Sequence, residues 1–288
     1  MNMPTDDVCL KNVSDCFGPA EDVEPGIQRM VLKTNLLYSN SEERSRFETR
    51  LEKFLKIDTT SEIIEYSDGK FIYRTESVIP TKQDTRPPLL LLFGNPAPDS
   101  VIKRCFFAGE KGKKEHRFWP ALKESGIISF KNNAGHDINI HRTKALFDLD
   151  YDSDFRIGLA VFYSMPSPAS DPKWSGVAGL RKFFGARALR LIAECERTRV
   201  EELIEKFVAG NDGGAVIAFQ KDAYLEIKKF VSKGTELAGK DKWCVVEARC
   251  SHSNVKLFRL PPTRYMIAPR YLNSLREVWK LCKSPEER

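Results

Sequence analysis

Leu89-Leu90-Leu91-Leu92-Phe93-Gly94-Asn95-Pro96-Ala97-Pro98 decides how the rest of the chain is read. Five apolar residues in a row leave no polar face, so the run reads as a strand buried on both sides, as in a parallel sheet. It stops abruptly. Gly94 permits unusual backbone angles, Pro96 and Pro98 stiffen the loop, and Asn95 sits where the strand ends. Ligands of open α/β sheets bind beyond the carboxyl ends of the strands, which makes Asn95 the first candidate for chemistry. The competing reading is an Asn-Pro that only forms a turn.

Downstream of this strand, helical and extended patterns alternate. A helix starts near Glu115, carries Phe118, Trp119 and Leu122, and is capped at Gly126. A second strand over 157–162 runs into Tyr163-Ser164-Met165-Pro166-Ser167-Pro168. A helix over 197–209 precedes a third strand over 215–219, and Ala223, Tyr224, Ile227 and Phe230 mark another helix. Strands over 243–248 and 255–260 follow, the latter ending in Pro261-Pro262-Thr263, and Tyr271, Leu275, Val278 and Trp279 mark a final helix. This alternation predicts an α/β fold, a three-layer α/β/α sandwich around a central, mostly parallel sheet, over residues 85–288. Residues 1–84 read as an N-terminal extension. In it, 1–40 is a loop or loosely docked arm. A helix over 41–57 buries Phe47, Leu51, Phe54 and Leu55, after a capping box at Ser39-Asn40-Ser41-Glu42. Two short strands, 62–66 and 70–74, flank Ser67-Asp68-Gly69, and 81–88 is a polar linker. No repeat, Walker A motif or G-x-G-x-x-G occurs, so nothing points to ordinary nucleotide binding.

Composition narrows the function classes. The 288 residues are 41% hydrophobic and 30% charged, which fits a soluble globular chain. No run approaches the roughly 20 apolar residues of a membrane helix, and the N-terminus lacks the apolar core of a signal peptide. Seven scattered cysteines without a C-x-x-C pair predict an intracellular protein with reduced thiols and argue against a zinc finger. Cys9, Cys16 and Cys195 are read as buried thiols that could meet in space. The net charge of +6 is uneven: residues 1–84 hold 11 basic and 16 acidic side chains, and residues 85–288 hold 35 and 24. The basic body favours a polyanionic partner such as nucleic acid.

Three strand ends therefore carry unusual loops, and in a parallel sheet they can line one crevice. After Asn95 come Lys103-Arg104-Cys105-Phe106-Phe107-Ala108-Gly109, then Lys111, Lys113, Lys114, His116 and Arg117 leading into Phe118-Trp119. Aromatics interleaved with cations suit stacking on a base beside a phosphate backbone. Phe118 and Trp119 are read as core residues, and Phe107 is the candidate for stacking.

In order and spacing these motifs resemble the uracil-DNA glycosylase superfamily, closest to the mismatch-specific uracil/thymine glycosylases. Asn95-Pro96 matches that family's Asn-Pro at the end of the first core strand. Phe107-Ala108 falls where its Phe-Ala lies, and His116-Arg117-Phe118-Trp119 matches the opening of the following helix. Leu260-Pro261-Pro262-Thr263-Arg264 resembles the second, DNA-gripping motif. The chain departs from the pattern where Gly94 directly precedes Asn95 and where Pro-Thr replaces Pro-Ser. It also has Val161-Phe162-Tyr163-Ser164 where many relatives carry a base-reading Asn, and Phe219-Gln220 where relatives often have Gly.

The resemblance implies a monofunctional DNA glycosylase that excises uracil or another deaminated base, with no cofactor and no metal. It assigns Asn95 to positioning water. Gly94, Pro96, Phe107, Ala108, Tyr163 and Ser164 would surround the flipped base. Lys103, Arg104, Lys113, Lys114, Arg117, Pro262, Thr263, Arg264 and Tyr265 would contact DNA, with Met266 a further candidate for the wedge. The expected partner is single- or double-stranded DNA with a damaged base, met by a monomer away from any membrane. A catalytically inactive nucleic-acid-binding protein on the same fold and a hydrolase of free nucleosides or nucleotides are the alternatives. Outside this constellation, His136, Asp137 and His141 form a His-Asp-x4-His spread with surface residues as the simpler reading. Asp148, Asp150, Asp152 and Asp154 would share one face of a strand or lie in a solvated turn, and Cys105 reads as a structural thiol.

Overall fold

The computed structural model describes residues 16–57, 59–108, 115–131, 137–211, 213–229, 236–237, 244–250, 253–263, 266 and 269–282. Lys113, Lys114, Arg264 and Tyr265 lie outside the described residues, as do Cys9 and His136.

The apolar run at 89–93 forms an interior strand of a six-stranded sheet as β5 (Pro88–Phe93). Its neighbours are β6 (Arg156–Val161), β7 (Gly214–Ala218), β10 (Ser253–Arg259), β9 (Cys244–Cys250) and β8 (Glu236–Leu237), in the order β6-β5-β7-β10-β9-β8. The pairs β5–β6, β5–β7 and β7–β10 are parallel. β9 runs antiparallel to β10, because only residues 251–252 separate them and a parallel crossover needs about a dozen.

Successive residues of β5 point to opposite faces and feed two separate cores. Leu90 and Leu92 join Ala160, Val216, Ala218 and Leu257 on one side. Leu89, Leu91 and Phe93 join Ile157, Leu159, Ile217 and Phe258 on the other. The first face is covered by α5 (Gly176–Phe184), α6 (Ala186–Val208) and α7 (Lys221–Ile227). The second is covered by α3 (Phe118–Glu124), α4 (Ile138–Asp148) and α8 (Pro269–Cys282). Helices on both faces of a mostly parallel sheet are compatible with an α/β sandwich. A short α2 (Pro98–Ile102) follows the Asn-Pro loop, with Pro98 at its first position.

The N-terminal region is more ordered than the reading of a loop or arm over 1–40. Residues 21–33 form a hairpin, β1 (Glu21–Glu24) and β2 (Ile27–Lys33), turning at Pro25-Gly26. Pro-Gly is a frequent turn former, and Gly26 takes a positive φ there. β3 (Ile64–Ser67) and β4 (Lys70–Glu76) form the expected hairpin, with Asp68 and Gly69 both at positive φ in a two-residue turn. The four strands make an antiparallel sheet, β1-β2-β4-β3. The helix α1 (Ser41–Phe54) starts one residue later than the Ser39 frame: Asn40 accepts from the Glu43 amide, and the Glu43 carboxylate accepts from Ser39.

This region shares a core with the larger sheet. Phe47 stacks on Phe184 with ring centroids 5.9 Å apart, and Phe54 on Phe183 at 4.4 Å. Beyond β4, Val78 exchanges both backbone hydrogen bonds with Leu159 at 2.8 Å, which covers the outer edge of β6.

A buried polar junction locks the two sheets together. Glu196 of α6 is 1% exposed. Its Oε1 accepts from the Ser164 amide at 2.6 Å and the Ser164 hydroxyl at 2.5 Å. The Tyr73 hydroxyl of β4 lies 2.6 Å from the Ser164 hydroxyl. Arg199 pairs with Glu196 Oε2 at 2.5 Å and donates to the carbonyls of Val161 and Phe162 at 2.7 and 2.9 Å. The Val161 and Phe162 carbonyls and the Ser164 amide and hydroxyl at the end of β6 thus find partners away from water.

Two outcomes follow from these buried groups. Glu196→Ala leaves Arg199 without its counter-charge and the Ser164 amide without its acceptor, and should lower the unfolding free energy by about 3–5 kcal/mol in a denaturant melt. Glu76 is also buried, its Oε2 has no partner among the described residues, and burial raises its pKa well above 4.5. A carboxyl whose folded pKa is raised loses stability as pH climbs from the unfolded value toward the folded one, by at most about 1.4 kcal/mol per pH unit. Glu76→Gln should therefore gain stability over the wild type between pH 5 and 8 in thermal melts, with the gap closing below pH 4.5.

Candidate active site at the strand ends

The parallel strands end in register, Phe93 opposite Val161 and Leu92 opposite Ala218, and their loops leave by one edge. The ladder runs on past the strands. Phe162 and Tyr163 amides donate to Phe93 and Gly94 carbonyls at 2.8 Å, and the Ser167 amide donates to the Pro96 carbonyl at 3.0 Å. On the other flank the Phe219 amide donates to Leu92, and Leu260 donates to Ala218, each at 2.9 Å. The loops after β6, β5, β7 and β10 therefore stand side by side in that order.

Asn95 is half-buried at the centre of this row. Its Nδ2 donates to the Ser167 hydroxyl at 2.7 Å and faces the carbonyls of Pro96 and Met165 at 3.3 and 3.5 Å. Two carbonyl acceptors on one side fix which way the amide points. The Ser167 hydroxyl also accepts from the Gly176 amide at 2.8 Å, so the loop, Asn95 and the start of α5 hold one another. Among the described residues no donor reaches Asn95 Oδ1, which is left to accept from water or a ligand.

Phe107 sits nearby in a strained loop. Arg104 and Phe107 both have positive φ, 56° and 54°, a conformation costing a non-glycine residue about 1–2 kcal/mol. Such strain persists where the surroundings enforce it. Phe107 stacks on Phe118 at 4.2 Å, tilts against His116 at 5.0 Å and meets Phe93 edge-on at 4.9 Å. Phe93 in turn stacks on Phe219 at 5.0 Å, so aromatic rings line the ends of β5 and β7. Phe118 and Trp119 are core, and the indole of Trp119 donates to the Phe106 carbonyl at 3.1 Å.

The remaining sequence-derived residues separate into groups. Gly94, Pro96 and Ala108 are buried beside Asn95 and Phe107 in the chain. Tyr163 is 5% exposed, and burial followed by the charges of Glu226 and Asp222 raises its pKa. Ser164 is fully buried with its amide and hydroxyl both bound to Glu196, so it supports the loop from beneath and presents no free face. Lys103 and Arg104 are exposed, and Arg104 pairs with Glu24 of β1 at 2.5 Å. Arg117 is half-buried at the start of α3. Pro262 and Thr263 are half-buried after β10, in a loop held by the Tyr271 hydroxyl, which donates to Pro261 at 2.6 Å.

Two readings of acidic and metal-like clusters are now explicit. Asp137 caps α4 through the Asn139 amide at 2.8 Å, and His141 lies inside that helix. The Asp148–Asp154 row is not a strand face: Asp148 ends α4 and pairs with Lys82, Asp150 pairs with Lys131, and Asp152 bridges Ser129. Among the described residues no three metal-ligating side chains converge. No described helix is long and apolar enough to cross a membrane. Cys105 is buried and its thiol is pushed up to about 12, first by desolvation, which suits a structural role. A groove of about 1460 Å³ lies apart from Asn95, between the β1–β2 hairpin, α4 and α6, and of the sequence-derived site residues only Arg104 lines it.

Sequence reasoning missed two contributors. The Ser167 hydroxyl carried no motif beyond its Pro-rich loop. Gln220 was noted only as a departure, yet its side chain lies against Gly94. Compared with known proteins, the chain matches no family model and no curated protein.

Proposed function

We propose that the chain is a DNA glycosylase of the uracil-DNA glycosylase-like fold, which hydrolyses the bond between C1′ and the nitrogen of a deaminated base. The observation that carries this reading is Asn95: its Nδ2 is tied to Ser167, Met165 and Pro96, and its Oδ1 is left open at the carboxyl edge of the parallel strands. The ordered motifs around Asn95, Phe107 and Pro262-Thr263 support it, as does the basic body.

In this mechanism the target nucleotide leaves the stack and its base enters the crevice beside Phe107. The C1′–N bond breaks first, leaving an oxocarbenium-like sugar and an anionic base. Water held by Asn95 Oδ1 adds its oxygen to C1′, and its proton passes to solvent while the base takes one up. An amide is too weak a base to drive the reaction, so Asn95 acts by orientation, and the acidity of the leaving base supplies the rest. Phe107, held by Phe118, offers an aromatic surface for the base. Lys103, Arg117 and Thr263 contact the backbone on either side.

Oligonucleotides carrying uracil, hypoxanthine, xanthine or a G·T mismatch test the reading: incubation, alkali, and a search for cleavage at the lesion. Cleavage at one lesion is expected, with Asn95→Ala slowing base release about 100- to 1000-fold while DNA binding survives. Unchanged release would remove Asn95 from the chemistry. No product on any substrate, with binding intact, would favour the non-catalytic binding protein. Affinity for undamaged duplex should also fall at least about tenfold between roughly 50 and 200 mM salt, as expected if several cations neutralise phosphates.

A further inference from the structure

We propose that Gln220 is a base-recognition residue of this site, its carboxamide pairing with the hydrogen-bonding edge of the extruded base. The inference rests on the glycosylase reading above. Its own observation is a close approach between two strand ends. Gln220 follows Phe219, whose amide is bonded to Leu92 of β5, so the backbone after β7 is drawn up against β5. There the Gln220 side chain lies on Gly94. A Cβ placed on Gly94 would come within 1.8 Å of Oε1, 2.4 Å of Cδ and 2.9 Å of Nε2. Glycine at 94 is therefore what admits the amide, and the next residue is Asn95.

The amide is also unspent. Gln220 is half-buried, precedes α7 without a side-chain capping bond, and no described residue hydrogen-bonds its Oε1 or Nε2. A half-buried carboxamide with open donor and acceptor, one residue from the water-positioning Asn95, suits a ligand that carries the reciprocal pair. Deaminated bases carry it as a lactam, a ring N–H beside a carbonyl. Gln220 Oε1 accepts from the N–H, and Nε2 donates to the carbonyl. The second bond strengthens as the base departs, because the leaving electron pair spreads onto that carbonyl oxygen. Gln220 thus holds the edge of the base and favours its departure, and Asn95 orients the water. The two amides divide the work across the loops after β5 and β7.

The test compares wild type, Gln220→Ala, Gln220→Glu and Gly94→Ala on oligonucleotides containing deoxyuridine or deoxyinosine, with thermal melts to check folding. Gln220→Ala should lower single-turnover base release about 10- to 100-fold with affinity for undamaged DNA unchanged. Gln220→Glu should lower it further, since a second acceptor repels the departing anion. Gly94→Ala should reproduce the defect by displacing the amide, and should add little in the Gln220→Ala background. Release by Gln220→Ala at or above the wild-type rate would overturn the assignment and leave the glycosylase reading standing. If the wild type releases no base, that reading fails, and binding to an oligonucleotide with uncleavable 2′-fluoro-2′-deoxyuridine decides the role of Gln220. A wild-type preference for it over undamaged DNA that Gln220→Ala abolishes would uphold edge recognition. No preference, or one the variant keeps, would refute it.

Discussion

A single buried carboxylate organises the molecule. Glu196 is removed from water on α6, and its cost of burial is offset only because Ser164, Arg199 and, through Ser164, Tyr73 meet it together. Each partner comes from a different part of the chain: the loop after β6, the helix itself, and the N-terminal sheet. The loop after β6 then hands the constraint on. Its Met165 carbonyl and Ser167 hydroxyl hold the Asn95 amide, so the position of Asn95 in the candidate site is set by a network that begins in the interior. Rigid placement of this kind is what an orienting group needs, since small displacements erode its effect.

The opposite side of Asn95 is built differently. Aromatic rings dominate there: Phe93, Phe107, Phe118 and Phe219 contact one another, and two of the four residues that end in Phe107 hold left-handed backbone. Stacking and burial compensate the strain. One flank of the site is thus fixed by hydrogen bonds in a dry interior, and the other by ring packing that leaves Phe107 partly accessible.

Much of this was legible in the sequence. The run 89–93 could only be a strand covered on both faces, and the alternation after it gave the sheet and the shared edge of its loops. Phe118 and Trp119 read as core because their neighbours keep helical spacing. The antiparallel β9 was not legible, since an apolar run carries no direction and only the two-residue connection sets it. β1 and β2 were obscured because Asp22 and Glu24 of β1 are solvent-facing or half-buried and a bulge breaks the alternation. α4 hid behind the polar GHDINIH stretch, where Asp137 is a cap rather than a ligand. The pairing of Gly94 with Gln220 lies beyond any local pattern, because the two residues meet only when β5 and β7 lie side by side.

The docking of the N-terminal sheet has a consequence for how the chain is made. The Tyr38 hydroxyl donates to the Phe184 carbonyl, 146 residues further on, and Phe47 and Phe54 stack on rings at 183 and 184. At synthesis rates of roughly 5–20 residues per second, this early segment would wait about 7–30 s for its partners. During that interval its aromatic face lacks the native cover that α5 supplies. Segments early in this chain are completed only by residues far downstream, so the order of synthesis runs against the order in which the fold can close.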